Sequence, residues 1–425
     1  MSFLAISLGR IVRALVRLVR PGGGSALPGL VVSKIAPGLL YRFLGKLPMG
    51  VFVVTGSAGK STTTKMLVAI ARAHGLRVFT NPSTANILQG YYSTIIEKSN
   101  FWGRTNDQIA ILEMDEGHAA DFARRFSPRY SAILNVFEDQ LDRFVDPALV
   151  RQKLLEVAKR TTVGVVLNSD DQNTLLIDQS MSENRSTQTL KRTWFGLSEH
   201  LFQQTEYGYA ATYLDELPRK SPEVTVSKLD GRALELGFDG RSFALELPNR
   251  GMHFAMDAAA AICCARLLFG ERFSPELATS TLAELPPVFA RGEIATVRGE
   301  EIEFILVQNP ISFQLNLDNL STNPEQIMVA IGRDVHDPSW LWTVDFQNLS
   351  HADVVSGYNA AEIALRLMYD EVPLGLITDD LEHAIERFLE LPKPTHGHKT
   401  VIFSADAMRR MRRYLGMTDP EDVSR

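Results

Sequence analysis

A short apolar run leads into a glycine-rich turn between Val51 and Met66, in the sequence VFVVTGSAGKSTTTKM. The apolar residues Val51 to Val54 predict a buried strand, and the residues after the turn have the pattern of a helix. Gly56 and Gly59 allow the backbone to curl until successive N–H groups face one anion, and a helix N-terminus adds partial positive charge. This stretch therefore predicts a phosphate-binding loop at the edge of an α/β sheet.

The predicted phosphate-binding residues run from the strand end into the first helical turn: Thr55, Gly56, Ser57, Ala58, Gly59, Lys60, Ser61 and Thr62. Lys60 can reach the β- and γ-phosphates of ATP, and the Ser61 or Thr62 hydroxyl can ligate Mg²⁺. The glycines are closer together than in the eight-residue P-loop pattern. A plain glycine turn is the alternative, but the order of strand, glycine, lysine, hydroxyl and helix favours a nucleotide site.

Length and composition indicate a soluble protein of two or three domains. The chain has 425 residues, of which 45% are hydrophobic and 22% charged, and this length exceeds what one core usually holds. Its two cysteines, Cys263 and Cys264, are adjacent, so they are poor joint ligands for a metal, and we expect no zinc. We expect a reducing compartment, the cytoplasm.

Charge is distributed unevenly along the chain. Residues 1–96 contain eleven Lys and Arg residues and no Asp or Glu. Within residues 1–20, Arg10, Arg13, Arg17 and Arg20 recur at helical spacing among apolar residues, which predicts a basic amphipathic helix. Such a helix can pack on the next domain, touch the inner face of the cell membrane, or do both. The acidic remainder, without basic–aromatic interleaving, argues against nucleic-acid binding.

Polar side chains follow several predicted strands. Strands near residues 51, 76, 109, 131 and 163, separated mostly by helices, predict a doubly wound parallel sheet. Glu113 ends one of them and is the predicted Mg²⁺ ligand, with Asp115 and Glu116 as neighbours. Asn135 ends the next strand, and the residues after residue 167 add three more candidates for nucleotide binding: Asn168, Asp170 and Asp171.

The rest of the chain predicts two further regions. Short alternating runs over 190–250 indicate a small antiparallel insertion. Pro286 and Pro287 mark a boundary, after which strands at 301–307, 327–331, 353–355 and 400–403 alternate with helices. We therefore predict three parts: a basic N-terminal segment at 1–46, an ATP-binding domain at 47–287 and a C-terminal α/β domain at 288–425.

These residues together resemble the Mur-ligase family and, within it, the MurT branch. Thr55 to Thr62 match the phosphate loop of the family, and Asn168 to Asp171 match its Asn-x-Asp-Asp segment. The run Asp139-Gln140-Leu141-Asp142-Arg143 matches the form that the MurT branch uses. The C-terminal run from Asp334 to Leu341, DVHDPSWL, matches its Asp-x-Ser-Trp segment. The resemblance covers roughly residues 25–415.

The resemblance implies a Mur-ligase-like fold and an ATP-dependent amide-forming enzyme. Its implied reaction converts the D-glutamate of the lipid II stem peptide to D-isoglutamine through an acyl-phosphate. Ammonia would come from a GatD-like glutamine amidotransferase in a heterodimer. Ser61, Glu113 and Gln140 are the implied Mg²⁺ ligands. Asp337, or otherwise Asp334, would complete the catalytic Cys/His pair of the partner.

Several positions depart from the family pattern. Gln308 replaces an expected lysine, Phe254 and Asp257 replace two adenine-side asparagines, and the zinc ribbon of many relatives is absent. Lys153 is a candidate for the lysine that some Mur ligases carbamylate. Two alternative functions stay open: another Mur or folylpolyglutamate-type ligase, and a nucleotide-binding scaffold subunit of an amidotransferase complex.

Overall fold

The computed structural model describes residues 2–19, 26–81, 88–136, 147–184, 187–204, 217–286, 291–307, 309–318, 320 and 324–417. The chain forms two compact units. The first comprises residues 1–138, 144–247 and 252–285, and the second comprises 139–143, 248–251 and 286–425. Each unit is built around its own sheet.

Among the described residues, nine strands form the sheet of the first unit: β1 (Val51–Thr55), β2 (Val78–Phe79), β3 (Ile109–Glu113), β4 (Tyr130–Ile133), β5 (Gly164–Asn168), β6 (Lys191–Leu197), β7 (Val224–Asp230), β8 (Ala233–Phe238) and β9 (Arg241–Glu246). Their order is β2-β3-β1-β4-β5-β6-β7-β8-β9. The strands are parallel as far as β7, and the last two pairings are antiparallel. β1, β3 and β5 are buried along their whole length, as expected for strands covered on both faces.

The described helices of the first unit are α1 (Ser2–Val19), α2 (Ala26–Ile35), α3 (Leu39–Leu44), α4 (Lys60–Ala73), α5 (Leu88–Lys98), α6 (Glu116–Arg125), α7 (Pro147–Arg160), α8 (Gln172–Ser182), α9 (Glu199–Gln204), α10 (Met252–Phe269) and α11 (Pro275–Ala283). α10 packs on α4 and on β5, β6 and β7. Its small residues at 258–261 allow this close approach. Residues Met252–Arg272 are long and apolar enough to cross a membrane, but 83% of that apolar window is buried within the protein, as in a core helix.

The second unit contains, in its described part, the strands β10 (Arg291–Val297), β11 (Glu300–Leu306), β12 (Ile327–Ala330), β13 (Ala352–Ser356), β14 (Leu374–Ile377) and β15 (Lys399–Phe403), and the helices α12 (Pro310–Asp318), α13 (Ala360–Tyr369), α14 (Leu381–Leu389) and α15 (Ala405–Tyr414). The strand order is β10-β11-β15-β12-β13-β14. β10 and β11 are antiparallel, and the other pairs are parallel. Separate apolar clusters cover the two faces of this sheet.

The predicted fold class is confirmed: a parallel sheet with an antiparallel part is followed by a second α/β unit. The antiparallel strands, however, extend the main sheet and do not form a separate insertion. β6 pairs with β5, and β7 continues from β6 in parallel, because the free edge of β6 still has unpaired backbone groups to satisfy. The run Tyr207–Tyr213 lies outside the described residues.

Candidate functional site

The turn after β1 requires glycine at two positions. Gly56 and Gly59 have φ angles of 133° and 80°, a region that side chains disfavour. A Cβ on Gly56 would lie 3.0 Å from the backbone N and O of Asn135, and a Cβ on Gly59 would lie 2.2 Å from Asp257 Oδ1. The loop is therefore closed tightly around its two glycines.

Asn135, just beyond β4, holds the loop in place. Its Oδ1 accepts a hydrogen bond from Ala58 N at 2.7 Å, and its Nδ2 donates to Ala58 O at 3.2 Å. Ser57 N donates to the Asn135 carbonyl at 3.1 Å. The sequence predicted Asn135 as a nucleotide-binding residue. In the structure its amide positions the phosphate loop.

Lys60 begins α4 and folds back over the loop. Its Nζ donates to the carbonyl of Ser57 at 3.0 Å and to that of Gly56. Glu116 Oε1 lies 3.6 Å from the same nitrogen. The ammonium group therefore lies where the loop, the N-terminus of α4 and the first residue of α6 meet.

Glu113 ends β3 beside β1, and its carboxylate faces the loop. Ser61 Oγ donates to Glu113 Oε1 at 2.8 Å, and Glu113 is 3% exposed. Asn81 clamps the Glu113 backbone through two hydrogen bonds of 3.1 and 3.2 Å, and Tyr91 OH donates to the Glu113 carbonyl at 2.7 Å. Burial, followed by the charges of Glu113 and Asp115, raises the pKa of Tyr91 well above its ordinary value, so its hydroxyl remains a donor.

These groups fit a nucleotide with Mg²⁺. Thr55 at the end of β1 is fully buried, and its Oγ1 has no hydrogen-bond partner among the described residues. No group of three His, Cys, Asp or Glu residues suited to a metal occurs in the described part of the chain. Mg²⁺ commonly binds one or two protein groups and completes its shell with phosphates and water. Ser61 and Glu113 supply such a pair, and Gln140, the third predicted ligand, lies outside the described residues.

Asp257 is a site residue whose position the sequence analysis did not predict. The resemblance aligns it with an adenine-side asparagine, but the structure places its carboxylate against the phosphate loop. Thr63 Oγ1 donates to Asp257 Oδ1 at 3.2 Å, and both residues are buried. The sequence contained one sign of this position. Asp257 is the single acidic residue in the apolar run of α10, and a buried carboxylate requires polar partners. Phe254, the other departure, is buried in the core.

The Asn-x-Asp-Asp segment after β5 has structural partners for each polar side chain. Asn168 Nδ2 donates to Leu134 O at 3.0 Å, joining β5 to β4. Asp171 begins α8 by accepting from Asn173 N at 2.7 Å, and it also accepts from Val136 N at 2.6 Å. Burial raises the pKa of Asp171 to about 7, although these N–H groups act in the opposite direction.

Asp170 belongs to a second network at the same sheet edge. It accepts from Leu197 N at 2.6 Å and from Arg219 Nε at 2.6 Å. Burial raises its pKa, and Arg219 opposes the shift. The three predicted nucleotide-binding residues of this segment therefore brace strand ends and a helix start. Their role towards a nucleotide stays a prediction. Lys153 lies half-buried on α7.

The two candidate aspartates of the second unit have different surroundings. Asp334 accepts hydrogen bonds from Ser404 Oγ at 2.6 Å, Ala405 N at 2.9 Å and Asp406 N at 3.0 Å. Its carboxylate therefore caps the start of α15.

Asp337 is exposed and precedes a short 3₁₀ helix, Pro338–Thr343. Its Oδ1 accepts from Ser339 N at 2.9 Å, and hydrogen bonds from Ser339 lower the pKa of the carboxyl group. Both carboxylates are exposed, but that of Asp334 is held by three donors at the start of α15, whereas that of Asp337 is held by the turn that follows it.

Comparison with known proteins agrees with this geometry. Residues 54–265 match the family model of the Mur ligase middle domain, and residues 306–405 match that of the MurT ligase C-terminal domain. The MurT subunit of the lipid II isoglutaminyl synthase from Streptococcus pneumoniae is 24% identical over 392 residues, which cover 85% of this chain and 86% of that protein. The corresponding subunit from Staphylococcus aureus strain COL is 24% identical over 89% of this chain and 90% of its own length.

Solved structures share the fold. MurF from Thermotoga maritima in complex with ADP has a TM-score of 0.65 at 19% identity, covering 91% of this chain and 83% of its own. Folylpolyglutamate synthase from the same organism has a TM-score of 0.58 at 15% identity, covering 89% and 92%. The family models and the MurT relatives, together with this fold, define a Mur-ligase-type enzyme, a ligase. Within that class, the chain resembles MurT over nearly its whole length.

Proposed function

We propose that this chain is the ligase subunit of a glutamine-hydrolysing lipid II isoglutaminyl synthase and acts in peptidoglycan synthesis in the cytoplasm. The observation that carries the proposal is the contact between Ser61 and Glu113 at the phosphate loop. It occurs in a chain similar to MurT subunits over more than four fifths of its length. The loop supports nucleotide chemistry, and the similarity supports the choice of substrate.

The proposed reaction amidates the α-carboxylate of D-glutamate in the stem peptide. Bound ATP with Mg²⁺ supplies the phosphoryl group that turns the carboxylate into an acyl-phosphate. Ammonia then attacks the acyl carbon, loses a proton and displaces phosphate. The backbone N–H groups at the start of α4 and Lys60 would neutralise the phosphates, and Ser61 with Glu113 would hold the metal. Asn135 keeps the loop in the shape that this requires.

The proposed source of ammonia is a GatD-like glutamine amidotransferase subunit. We assign the contact with its catalytic Cys/His pair to Asp337. Both aspartates are exposed, but the Asp334 carboxylate is held by the N–H groups of Ala405 and Asp406 at the start of α15, and this supports the choice of Asp337.

A single assay tests both parts of the proposal. Lipid II amidation is measured with the amidotransferase present, supplied either with glutamine or with ammonium. We expect Lys60→Ala to lower the rate with both nitrogen sources by about 100-fold or more, because phosphate charge is left unbalanced. We expect Asp337→Asn to lower the glutamine-dependent rate alone.

Matched controls lie close to both residues. Lys65→Ala changes another lysine of α4. Asp345→Asn changes another exposed carboxylate. Like that of Asp337, it accepts a hydrogen bond from the backbone N–H two residues later, here Gln347 N at 2.9 Å. Both controls should keep both rates. Full activity of Lys60→Ala would contradict the role of the loop, and equal loss of both rates in Asp337→Asn would move that residue out of the partner contact.

A further inference from the structure

Helix α1 has apolar residues on two opposite faces. The inner face packs on α2 and α5, where Ala5 and Ile6 are buried. A Cβ on Gly9 would lie 2.6 Å from Ile96 Cδ1 and 2.9 Å from Val32 Cγ2. The inner face therefore fits closely against its neighbours. This packing explains the apolar residues of the inner face, but it does not explain those on the opposite face.

The outer face of α1 has four large aliphatic residues that are exposed to solvent: Leu4, Leu8, Ile11 and Leu15. Their exposure is between 37% and 70%. At a spacing of ~100° per residue they fall within an arc of about 60°. A helix that faces water normally has polar residues on such a face. The outer face thus has the composition of a buried surface.

A group of exposed aromatic side chains lies to one side of this outer face. Phe101 and Trp102, in the turn after α5, are 54% and 67% exposed. The ring of Phe3 lies 5.3 Å from that of Trp102, and the Arg10 guanidinium lies 4.3 Å from the centre of the Phe101 ring. We call these three aromatic residues and the four aliphatic ones the outer apolar surface. Exposed Trp and Phe side chains are typical of proteins at a bilayer interface.

The charge around this surface indicates what covers it. Arg10 and Arg13 make contacts within the protein. Arg10 Nε donates to Ile96 O at 3.1 Å, and Arg13 forms a salt bridge with Glu97 at 2.6 Å. Arg104, two residues after Trp102, is exposed, and residues 1–96 contain no acidic side chain. If a second copy of this chain covered the surface, the basic N-terminal regions of the two copies would repel each other. A bilayer of anionic phospholipids has negative headgroups above an apolar layer, so it can accommodate both the basic and the apolar side chains.

We propose that the outer apolar surface binds the interface of an anionic lipid bilayer, with α1 lying in the membrane plane. The apolar side chains enter the boundary between headgroups and acyl chains, and the basic N-terminal region faces the phosphates. This inference does not depend on the proposed enzymatic reaction, because it uses no residue of the phosphate loop.

Vesicle co-sedimentation of the full chain tests the proposal. The vesicles are phosphatidylcholine with or without phosphatidylglycerol. We expect wild type to sediment with the anionic vesicles, and Leu8→Ser combined with Ile11→Ser to weaken this partitioning by about tenfold or more. The matched control is Leu365→Ser with Met368→Ser on α13, where both residues are also exposed; it should bind like wild type. Equal binding of all three proteins, or no binding by wild type, would overturn the proposal.

Two further measurements distinguish membrane binding from contact with another protein or with a second copy of the chain. Brominated lipids should quench the fluorescence of wild type, and Trp102→Phe should remove most of that quenching. Gel filtration over a range of concentrations shows whether the chain self-associates. If the α1 substitutions convert a dimer to a monomer and leave vesicle binding unchanged, the surface is a contact between two copies and the membrane proposal is wrong. Loss of amidotransferase binding with unchanged vesicle binding would also refute it.

Discussion

Gly59 and Gly75 lie at opposite ends of α4 and have nearly the same left-handed backbone, with φ angles of 80° and 84°. Their surroundings differ. A Cβ on Gly59 would lie 2.2 Å from Asp257 Oδ1, whereas a Cβ on Gly75 would meet nothing within 4 Å. Alanine substitutions at the two positions therefore separate the cost of backbone strain from the cost of steric crowding at the phosphate loop.

We predict that Gly75→Ala lowers the free energy of unfolding by about 1 kcal/mol through strain alone. Gly59→Ala should lower it by about 1–3 kcal/mol more, because the new Cβ displaces the Asp257 carboxylate. Urea unfolding measures both. Calorimetric titration with ADP and Mg²⁺ should show weakened binding for Gly59→Ala and wild-type binding for Gly75→Ala. Similar behaviour of the two variants would contradict the close contact with Asp257.

Asp171 predicts a dependence of stability on pH. Burial raises its pKa to about 7. Because this folded-state pKa exceeds that of the unfolded chain, the folded protein binds more protons between about pH 4 and pH 7. The stability that Asp171 contributes is therefore present at the acidic end of this range and is lost as the pH rises towards 7, with a slope of at most about 1.4 kcal/mol per pH unit.

Asp171→Asn should remove this slope. Urea midpoints at pH 5, 6 and 7 should fall more steeply for wild type than for the variant. Glu276→Gln is the control: Arg241 lowers the pKa of Glu276, so its titration lies below this range. An unchanged slope in Asp171→Asn would show that the buried carboxylate is already ionised at pH 5.

At the scale of elements, the contact between α2 and α5 depends on one small residue. A Cβ on Gly29 would lie 1.8 Å from Gln89 O and 2.5 Å from Ser93 Oγ. Gly29 N also donates to Ser93 Oγ at 3.0 Å. The two helices therefore touch through backbone, and α1 packs on both.

We predict that Gly29→Ala forces α2 away from α5 and lowers the unfolding free energy by about 1–3 kcal/mol. Ser33→Ala on the same helix removes a local hydrogen bond to Leu30 O and should cost much less. Hydrogen exchange should show faster exchange in α1 and α5 of the Gly29 variant. Exchange as slow as in wild type would mean that the helices adapt to the added methyl group.

The sequence predicted most elements but not how they join. Strong apolar runs such as Val51 to Val54 made the central strands recognisable. β14, Leu374–Ile377, was missed because it is short, contains a glycine and is partly exposed along its length. Short strands of this kind are defined by their neighbours in the sheet more than by their own residues.

At the scale of the whole molecule, each unit has its own core. The six strands of the second unit pair only with one another among the described residues, and both apolar clusters on them come from residues after 290. The first unit depends instead on α10, which follows the antiparallel strands in sequence yet packs on α4 and β6.

We predict that residues 286–425 expressed alone fold cooperatively, because both faces of their sheet are covered from within. Residues 1–247 expressed alone should aggregate, since removal of α10 uncovers the apolar faces of β5, β6 and β7. Circular dichroism during urea titration, together with gel filtration, measures both outcomes. A soluble, cooperative 1–247 fragment would show that α10 is dispensable for the core.

The sequence by itself determined the glycine loop, the position of Glu113 at the end of β3 and the alternation of strands and helices, because these depend on local patterns of glycine, charge and apolar spacing. The tertiary structure alone decided that Asp257 lies against Gly59, that Asn135 clamps the loop and that Asp334 caps α15. These contacts join residues far apart in the chain. No local pattern encodes them, since they arise when strand ends and helix starts meet at one edge of a sheet.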